Sequence, residues 1–328
     1  MSEIESAMIQ ANLAMRDYTI DVRSKKLCHY TSPMGLLGIF NQDTPSLYFS
    51  QYDSLNDTKE RRDIFESLKK YCDKQLKDKK MSQQLYDDIT SIQQSDLFGI
   101  TRKTDEEIIL DNGEVVKGIT SFADEECYTY ICSFSKNNDS LPMWRMYSKA
   151  EHYEGFSIEF SANSFSQKKF YSKGFSLELV KVIYDERKKM HLIESVLAPI
   201  IKLYDSATQR DKEHLMSIIK VMIKNFQFVF KNKSFSYEEE IRAVLHIPKT
   251  ERSYAGQISE RKYRQSNGLI VPYVIYNVDK VSVKSITIAP TIKEEIAANN
   301  LKDYLCSRGL NHVNIISSDI PIRTVWVI

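Results

Sequence analysis

Two acidic residues and one basic residue alternate near the end of the chain, within Tyr237–Leu245. Alternate side chains of a strand point the same way, so Glu238, Glu240 and Arg242 would share one face. Neighbouring carboxylates can have their pKa values pushed apart, which suits acid/base chemistry or the stabilisation of a cation. The apolar residues that follow predict burial of both faces. A strand that lines a cleft and a surface strand whose charges pair therefore remain equal alternatives.

A histidine and a hydroxyl stand near the other end, in Cys28-His29-Tyr30-Thr31. On a strand from Leu27 to Thr31, His29 and Thr31 share a face and could bind a sugar hydroxyl or a carbonyl. The alternative is a histidine satisfied by the backbone, followed by a hydroxyl that caps the helix opened by Ser32-Pro33.

The next predicted strand, Ser46–Tyr52, places Tyr48 and Ser50 on one face. Asn56-Asp57 then ends the strand. Asp57 and Glu60 have the spacing of a capping box, which predicts a helix start. Asn56 and Asp57 could also orient a group of a neighbouring site.

Two further candidates are an aromatic pair and an arginine. Trp144 and Tyr147 lie three residues apart on one side of a short predicted helix. Such a pair is usually part of a core, and the alternative is a wall that stacks on a nucleobase. Arg264 is either a fork for phosphate or carboxylate, or the ion-pair partner of the Glu238 and Glu240 face.

The composition excludes several classes of protein. Lys and Arg total 45 against 44 for Asp and Glu, so no overall field attracts nucleic acid, although local basic patches remain possible. Five cysteines without CxxC spacing argue against a disulfide framework and a zinc ribbon. No Walker, GxGxxG, HExxH or GxSxG motif is present. We therefore expect no resident metal. No signal-like or membrane-spanning segment is evident, so we expect a cytoplasmic protein without a membrane partner.

The element pattern predicts an α+β fold, with a mixed or antiparallel β core and inserted helical blocks. The 328 residues are expected to form a single domain. The β core is assigned to about 24–60 and 120–328, with helical insertions at about 58–97 and 187–232. Asn112-Gly113 between alternating runs predicts a hairpin over Glu106–Ile119, and Gly309 is placed to end a helix from Lys293 to Arg308.

In order along the chain, these motifs resemble a bacterial family of unknown function, domain family twenty-nine seventy-one. The resemblance covers about residues 27–323, and Thr58 departs from it because the family usually has proline there. The motifs that carry it are His29-Tyr30-Thr31, Ser50, Asn56-Asp57, Glu60, Met143-Trp144, Tyr147, Gly155, Phe160, Tyr237-Glu238, Glu240, Arg242, Tyr263-Arg264, Pro272-Tyr273, Ala289-Pro290, Ser318, Ile320-Pro321 and Arg323.

A more remote resemblance is to ADP-ribosyltransferases of the His–Tyr–Glu plan, which implies NAD as substrate. It implies that His29 binds the adenosine-side ribose, that Tyr48 packs on nicotinamide, and that Glu238 or Glu240 supports an oxocarbenium-like transition state. It also implies a protein or nucleic-acid target in a bacterial anti-phage or toxin setting. The other nucleotide-binding residues expected are Tyr30, Thr31, Ser50, Asn56, Trp144, Tyr147, Arg242 and Arg264.

Two other functions are kept beside the transferase. The first is a non-enzymatic domain that senses a nucleotide or a phage protein through the same cleft. The second and weaker one is a nuclease in which Asp57, Glu60, Glu238 and Glu240 surround Mg²⁺.

Overall fold

The computed structural model describes most of the chain. Within it, ten strands form one mixed sheet and the helices lie in separate blocks, so the α+β class is confirmed. The described residues are 26–54, 60–97, 100–103, 106–109, 115–118, 121–124, 127–147, 154–165, 175–249, 257–266, 268–292 and 294–321, with positions 6, 9 and 13.

The large sheet has the order β11-β12-β2-β7-β1-β8-β13-β14, and β10 and β9 continue it from the other edge of β7. All its pairs are antiparallel except β13 with β14. Its strands are β1 Lys26–Thr31, β2 Ser46–Gln51, β7 Cys127–Ser135, β8 Phe156–Ser161, β9 Ser176–Lys181, β10 Glu240–Pro248, β11 Lys262–Ser266, β12 Leu269–Asn277, β13 Val283–Ile288 and β14 Asn314–Ser317.

Four short strands form two separate pairs, β3 with β6 and β4 with β5. Ile109 pairs with Val115 across Asn112-Gly113, which confirms the predicted hairpin, although residues 110–114 lie outside the described part. These strands are β3 Ile100–Lys103, β4 Glu106–Ile109, β5 Val115–Gly118 and β6 Ser121–Asp124.

The helices follow the predicted blocks. The 58–97 block contains two of them, and the 187–232 block breaks at Asp205–Thr208, as expected. Ser32 caps the first helix through its hydroxyl, which accepts from the Gly35 amide. The α-helices are α1 Pro33–Ile39, α2 Glu60–Lys77, α3 Gln83–Thr90, α4 Leu141–Tyr147, α5 Glu186–Tyr204, α6 Gln209–Phe226 and α7 Glu294–Ser307.

The central strand β7 has an unusual set of partners. On one edge it pairs with β10 along its whole length. On the other edge β1 pairs at Ser135 and β2 pairs at Ile131 and Tyr130. In the described ladders, Cys132–Phe134 pair with neither β1 nor β2. The two strands therefore separate around Ser133 and leave a gap in the sheet, which we call the wedge.

The sheet has two faces that are covered differently. The front face carries Ile131 and Val244, which pack against α2, α3, α5 and α6. The rear face carries Phe134 and Ile241, which pack against α1 and α7. A smaller cluster on the front face packs α4 against β1. The wedge thus lies between two helical coverings of the front face.

One predicted strand starts later than expected. The predicted strand began at Tyr237, but Lys233–Glu238 is a 3-10 helix and β10 begins at Glu240. Glu239 between them has φ +43°, a left-handed conformation at the junction of the 3-10 helix and the strand. Glu238 and Glu240 are therefore not alternate residues of one strand, and this part of the prediction is wrong.

Candidate functional site

His29 lies where the wedge opens. Its Nδ1 is 3.1 Å from the carbonyl oxygen of Ser133, and its ring meets that of Phe134 edge-on. Because a carbonyl only accepts, Nδ1 carries the proton and Nε2 is left as an acceptor. Burial lowers the pKa of His29, and the Ser133 carbonyl opposes that effect, so the ring is neutral at pH 7.

Glu240 lies on the front face, paired with Ser135. Arg242 binds it as a fork, with Nε 2.9 Å from Oε1 and Nη2 3.0 Å from Oε2. Lys231 Nζ is 3.0 Å from Oε2, and Ser133 hydrogen-bonds to the carboxylate. Burial alone would raise the pKa of Glu240, but Arg242 and Lys231 bring it down to about 2. The carboxylate is therefore ionised and firmly held.

Lys231 joins the two carboxylates that the sequence analysis singled out. Its Nζ is 2.5 Å from Glu238 Oε2 as well as 3.0 Å from Glu240 Oε2, and all three side chains are buried. With Arg242, two acids and two bases form one compact group. The predicted proximity of Glu238 and Glu240 is therefore produced by a lysine rather than by strand alternation.

Two tyrosines border this charged group. Tyr184 Oη accepts from the Glu240 amide at 3.1 Å. Tyr147 is 42% exposed and stands within electrostatic reach of both carboxylates. Burial raises the pKa of Tyr147, and Glu238 and Glu240 raise it further. Tyr147 is therefore a partly exposed group close to the two carboxylates.

Tyr48 belongs to a second group on the other side of the wedge. Continuing the β2–β7 register by two residues brings Tyr48 level with Ser133. Its ring, 43% exposed, lies 4.6 Å from that of Tyr273, and Arg264 lies over both rings at 5.7 and 5.9 Å. Arg264 Nη2 donates to Ser50 Oγ at 3.0 Å. Arg264 is therefore a partner of Ser50 and the tyrosines, not of Glu238 and Glu240.

Several residues expected to bind a nucleotide have packing roles instead. Trp144 is fully buried, donates to Asp139 at 2.7 Å and meets Tyr30 edge-on at 4.7 Å. Tyr30 is buried too, and its hydroxyl donates to the Asn137 carbonyl. Arg242, only 2% exposed, binds Glu240 and the Phe228 carbonyl. The expectation that Trp144 stacks on a base is overturned by its burial.

Two other expected residues cannot be placed at the wedge. Thr31 is partly buried, and its hydroxyl lies where a Cβ on Gly35 of α1 would stand. Asn56 lies outside the described residues, as does Asp57, and nothing is described of the Glu60 side chain. Of the residues that were expected to bind a nucleotide, His29, Tyr48, Ser50, Tyr147 and Arg264 remain candidates.

Sequence reasoning missed three residues of the site. Ser133 is an exposed residue of β7 that contacts both His29 and Glu240. A small polar side chain within an otherwise apolar run was the sequence feature that could have marked Ser133 as a site residue. Lys231 stands at the end of a helical block, two residues before Lys233, and neither it nor Tyr273 is marked by its type or spacing as a site residue.

Within the described chain, no group of three or more His, Cys, Asp or Glu is placed to hold a metal ion. The helices described include none that is long and apolar enough to cross a membrane.

Comparison with known proteins gives one match. No curated protein and no solved structure matches the chain. Residues 143–243 match the family described as Protein of unknown function (DUF2971), a segment that includes Tyr147, Glu238, Glu240 and Arg242. The predicted family is therefore confirmed for residues 143–243, a shorter stretch than the predicted 27–323.

Proposed function

We propose that this protein is an NAD-consuming transferase of the ADP-ribosyltransferase type, which modifies a protein or a nucleic acid. The observation that carries the proposal is that His29 and Glu240 both lie next to Ser133, His29 at its backbone carbonyl on the rear side of the sheet and Glu240 near its side chain on the front side. These residues come from strands far apart in the sequence, and both border the wedge. The antiviral-defence or toxin setting stays a prediction from the resemblance.

The groups at the wedge suit the parts of NAD. His29 Nε2, left unprotonated, can accept a hydrogen bond from a ribose hydroxyl. The exposed ring of Tyr48 offers a face for an aromatic base. Arg264, exposed beside it, can donate to a phosphate.

The carboxylates would act on the bond that releases nicotinamide. An ionised carboxylate stabilises the positive charge that develops on the sugar as that bond breaks. Glu240 already accepts from Arg242 twice, from Lys231 and from Ser133, which fills the roughly four acceptor positions of a carboxylate. A ribose hydroxyl would therefore replace Ser133, the exposed donor.

The test is release of nicotinamide and transfer of label from NAD in a bacterial lysate. We expect Glu240→Gln and Glu238→Gln to reduce turnover strongly, by about 10²-fold or more. Glu239→Gln is the matched control, because Glu239 lies between them in sequence but is exposed. Absence of nicotinamide release by the wild type, together with no toxicity on expression, would refute the transferase.

A second candidate is a domain that binds a nucleotide without turnover. The observation that favours it is the charge balance: Arg242 and Lys231 offset Glu240 and Glu238 in a buried group. A neutralised carboxylate offers less stabilisation to a cation. This candidate predicts a rise in melting temperature with NAD or another nucleotide and no product. If no nucleotide shifts the melting temperature, both the cleft and this candidate are wrong.

The nuclease alternative has the least support. It needs Asp57 and Glu60, whose side chains are outside the described part, and it needs Glu238 and Glu240 to face a cation. Both carboxylates instead bind Lys231. Nucleic-acid cleavage that EDTA abolishes would support it.

A further inference from the structure

We propose that the edge of the large sheet formed by β11 and β12 binds single-stranded nucleic acid. This surface, the edge hairpin, comprises residues 261–266 and 268–277. The proposal concerns binding only and does not require the transferase activity.

The edge hairpin concentrates positive charge on the outermost strand. Arg261, Lys262 and Arg264 fall within four residues, and Lys262–Gln265 are all exposed. Among the described residues, none of the three cations has a carboxylate within ion-pair distance, and Glu260 is the neighbouring acid in sequence. Although the charge of the whole chain is balanced, the edge hairpin therefore carries a local basic strip.

Tyrosine rings are interleaved with these cations on both sides of the hairpin. The Arg261 guanidinium lies 4.3 Å from the ring centre of Tyr128 and 5.5 Å from that of Tyr263. Tyr48 and Tyr273 flank Arg264 on the front face. Tyr263 is 61% exposed, so its ring is available for stacking.

When a guanidinium stacks flat on an aromatic ring, its N–H groups still point outward in its own plane and can donate hydrogen bonds. Arg261 Nη2 donates to Gln51 Oε1 at 2.7 Å, whereas its Nε is buried without a hydrogen-bond partner in the described structure. Burying an unpaired donor costs free energy. Because that Nε is inaccessible, an anionic ligand would contact the part of the Arg261 side chain that stays partly exposed.

The ligand that fits is a polyanion with flat aromatic faces. Phosphates would bind Arg261 and Lys262, and bases would stack on Tyr263. Bases in a duplex are hidden from such stacking, so the strip favours single strands. The cations would also suit an acidic protein surface, to which exposed Leu269 and Ile270 at the tip of the hairpin would add apolar contacts, so such a protein is the competing occupant.

The test uses fluorescence anisotropy on the full chain with labelled oligo-uridine RNA, oligo-thymidine DNA, a duplex and polyglutamate. We expect the single strands to bind most tightly, with affinity falling as salt rises. Tyr263→Ala should weaken binding about tenfold, whereas Tyr263→Phe should retain it. Arg261→Ala should reduce the slope of affinity against salt by about one phosphate contact.

The matched control is Arg308→Ala, which removes an arginine that also lies over a tyrosine, Tyr304, at 5.4 Å. It should bind like the wild type. Tyr263 and Arg261 stand apart from the His29 and Glu240 site, so loss of binding and loss of NAD turnover can be told apart. Equal binding of polyglutamate, equal binding of the duplex, or wild-type affinity in both hairpin variants would overturn the proposal.

Discussion

His29 and Glu240 are both bound to Ser133, His29 through the backbone carbonyl and Glu240 through the side chain. Ser133 is exposed, and in the described sheet it pairs with β10 on one edge only. The two halves of the candidate site are therefore coupled through one residue of the central strand. A change at Ser133 would be felt by both.

The tautomer of His29 is the first prediction. Since Nδ1 donates to a carbonyl, the neutral ring should carry its proton on Nδ1, which ¹⁵N NMR of the imidazole distinguishes from the Nε2–H form. Its pKa should lie below the ordinary 6.5, because burial lowers it. The unfolded chain therefore binds a proton at His29 more readily than the folded chain does. The contribution of His29 to the free energy of unfolding is present above pH 6.5 and is lost as the pH falls below that value. An Nε2–H ring would contradict the contact with Ser133.

The second prediction concerns the pH dependence contributed by Glu240. Its pKa is about 2 in the folded chain against 4.5 when unperturbed. The stability from this group is present above pH 4.5 and is lost as the pH falls towards 2, by about 3 kcal/mol in total. Urea unfolding should therefore show the gap between the wild type and Glu240→Gln narrowing over this range. A gap that stays constant would mean that the carboxylate is not held as described.

Breaking the buried charge group should unfold the protein readily. Arg242→Met leaves Glu240 without its fork, at a cost of about 3–5 kcal/mol in the free energy of unfolding. The control is Lys69→Met, which removes an exposed ion pair with Asp73 and should change stability little. A double variant, Glu240→Leu with Arg242→Met, should lose less than the sum of the single losses. Additive losses would argue against a shared network.

Two glycines of α1 should respond in opposite ways to alanine. A Cβ at Gly35 would overlap Thr31 Oγ1, so Gly35→Ala should cost about 1–3 kcal/mol. Gly38 has nothing within 4 Å of an added Cβ, and Gly38→Ala should stabilise the helix by up to about 1 kcal/mol. Adding Thr31→Ala to Gly35→Ala should recover part of the loss. Thermal unfolding followed by circular dichroism measures all three.

Sequence patterns were sufficient where the physics is local. The Ser32 cap, the helix break after Tyr204 and the positive φ at Gly309 follow from residues close in sequence. The start of β10 was mistaken because nothing in Tyr237–Leu245 reveals that Glu239 is left-handed. Alternation alone favoured a longer strand.

The site itself depends on contacts that no local pattern encodes. The His29–Ser133 contact spans 104 residues, and the Arg264–Ser50 contact spans 214. Lys231 meets Glu238 and Glu240 only because Glu239 turns the chain between them. Trp144 has the spacing of a stacking residue, and only its burial shows that it packs beneath the surface.

The separation of β1 and β2 around Ser133 has a consequence for folding kinetics. Both strands precede β7 by about 80 residues or more, so each must close a long loop before it can pair. Domains dominated by such distant pairings fold in milliseconds to seconds, more slowly than helical ones. The helical blocks can form earlier from local contacts. We therefore expect the residues around the wedge to come together late in folding. Until β1 and β2 pair with β7, one edge of β7 stays unpaired in the folding chain.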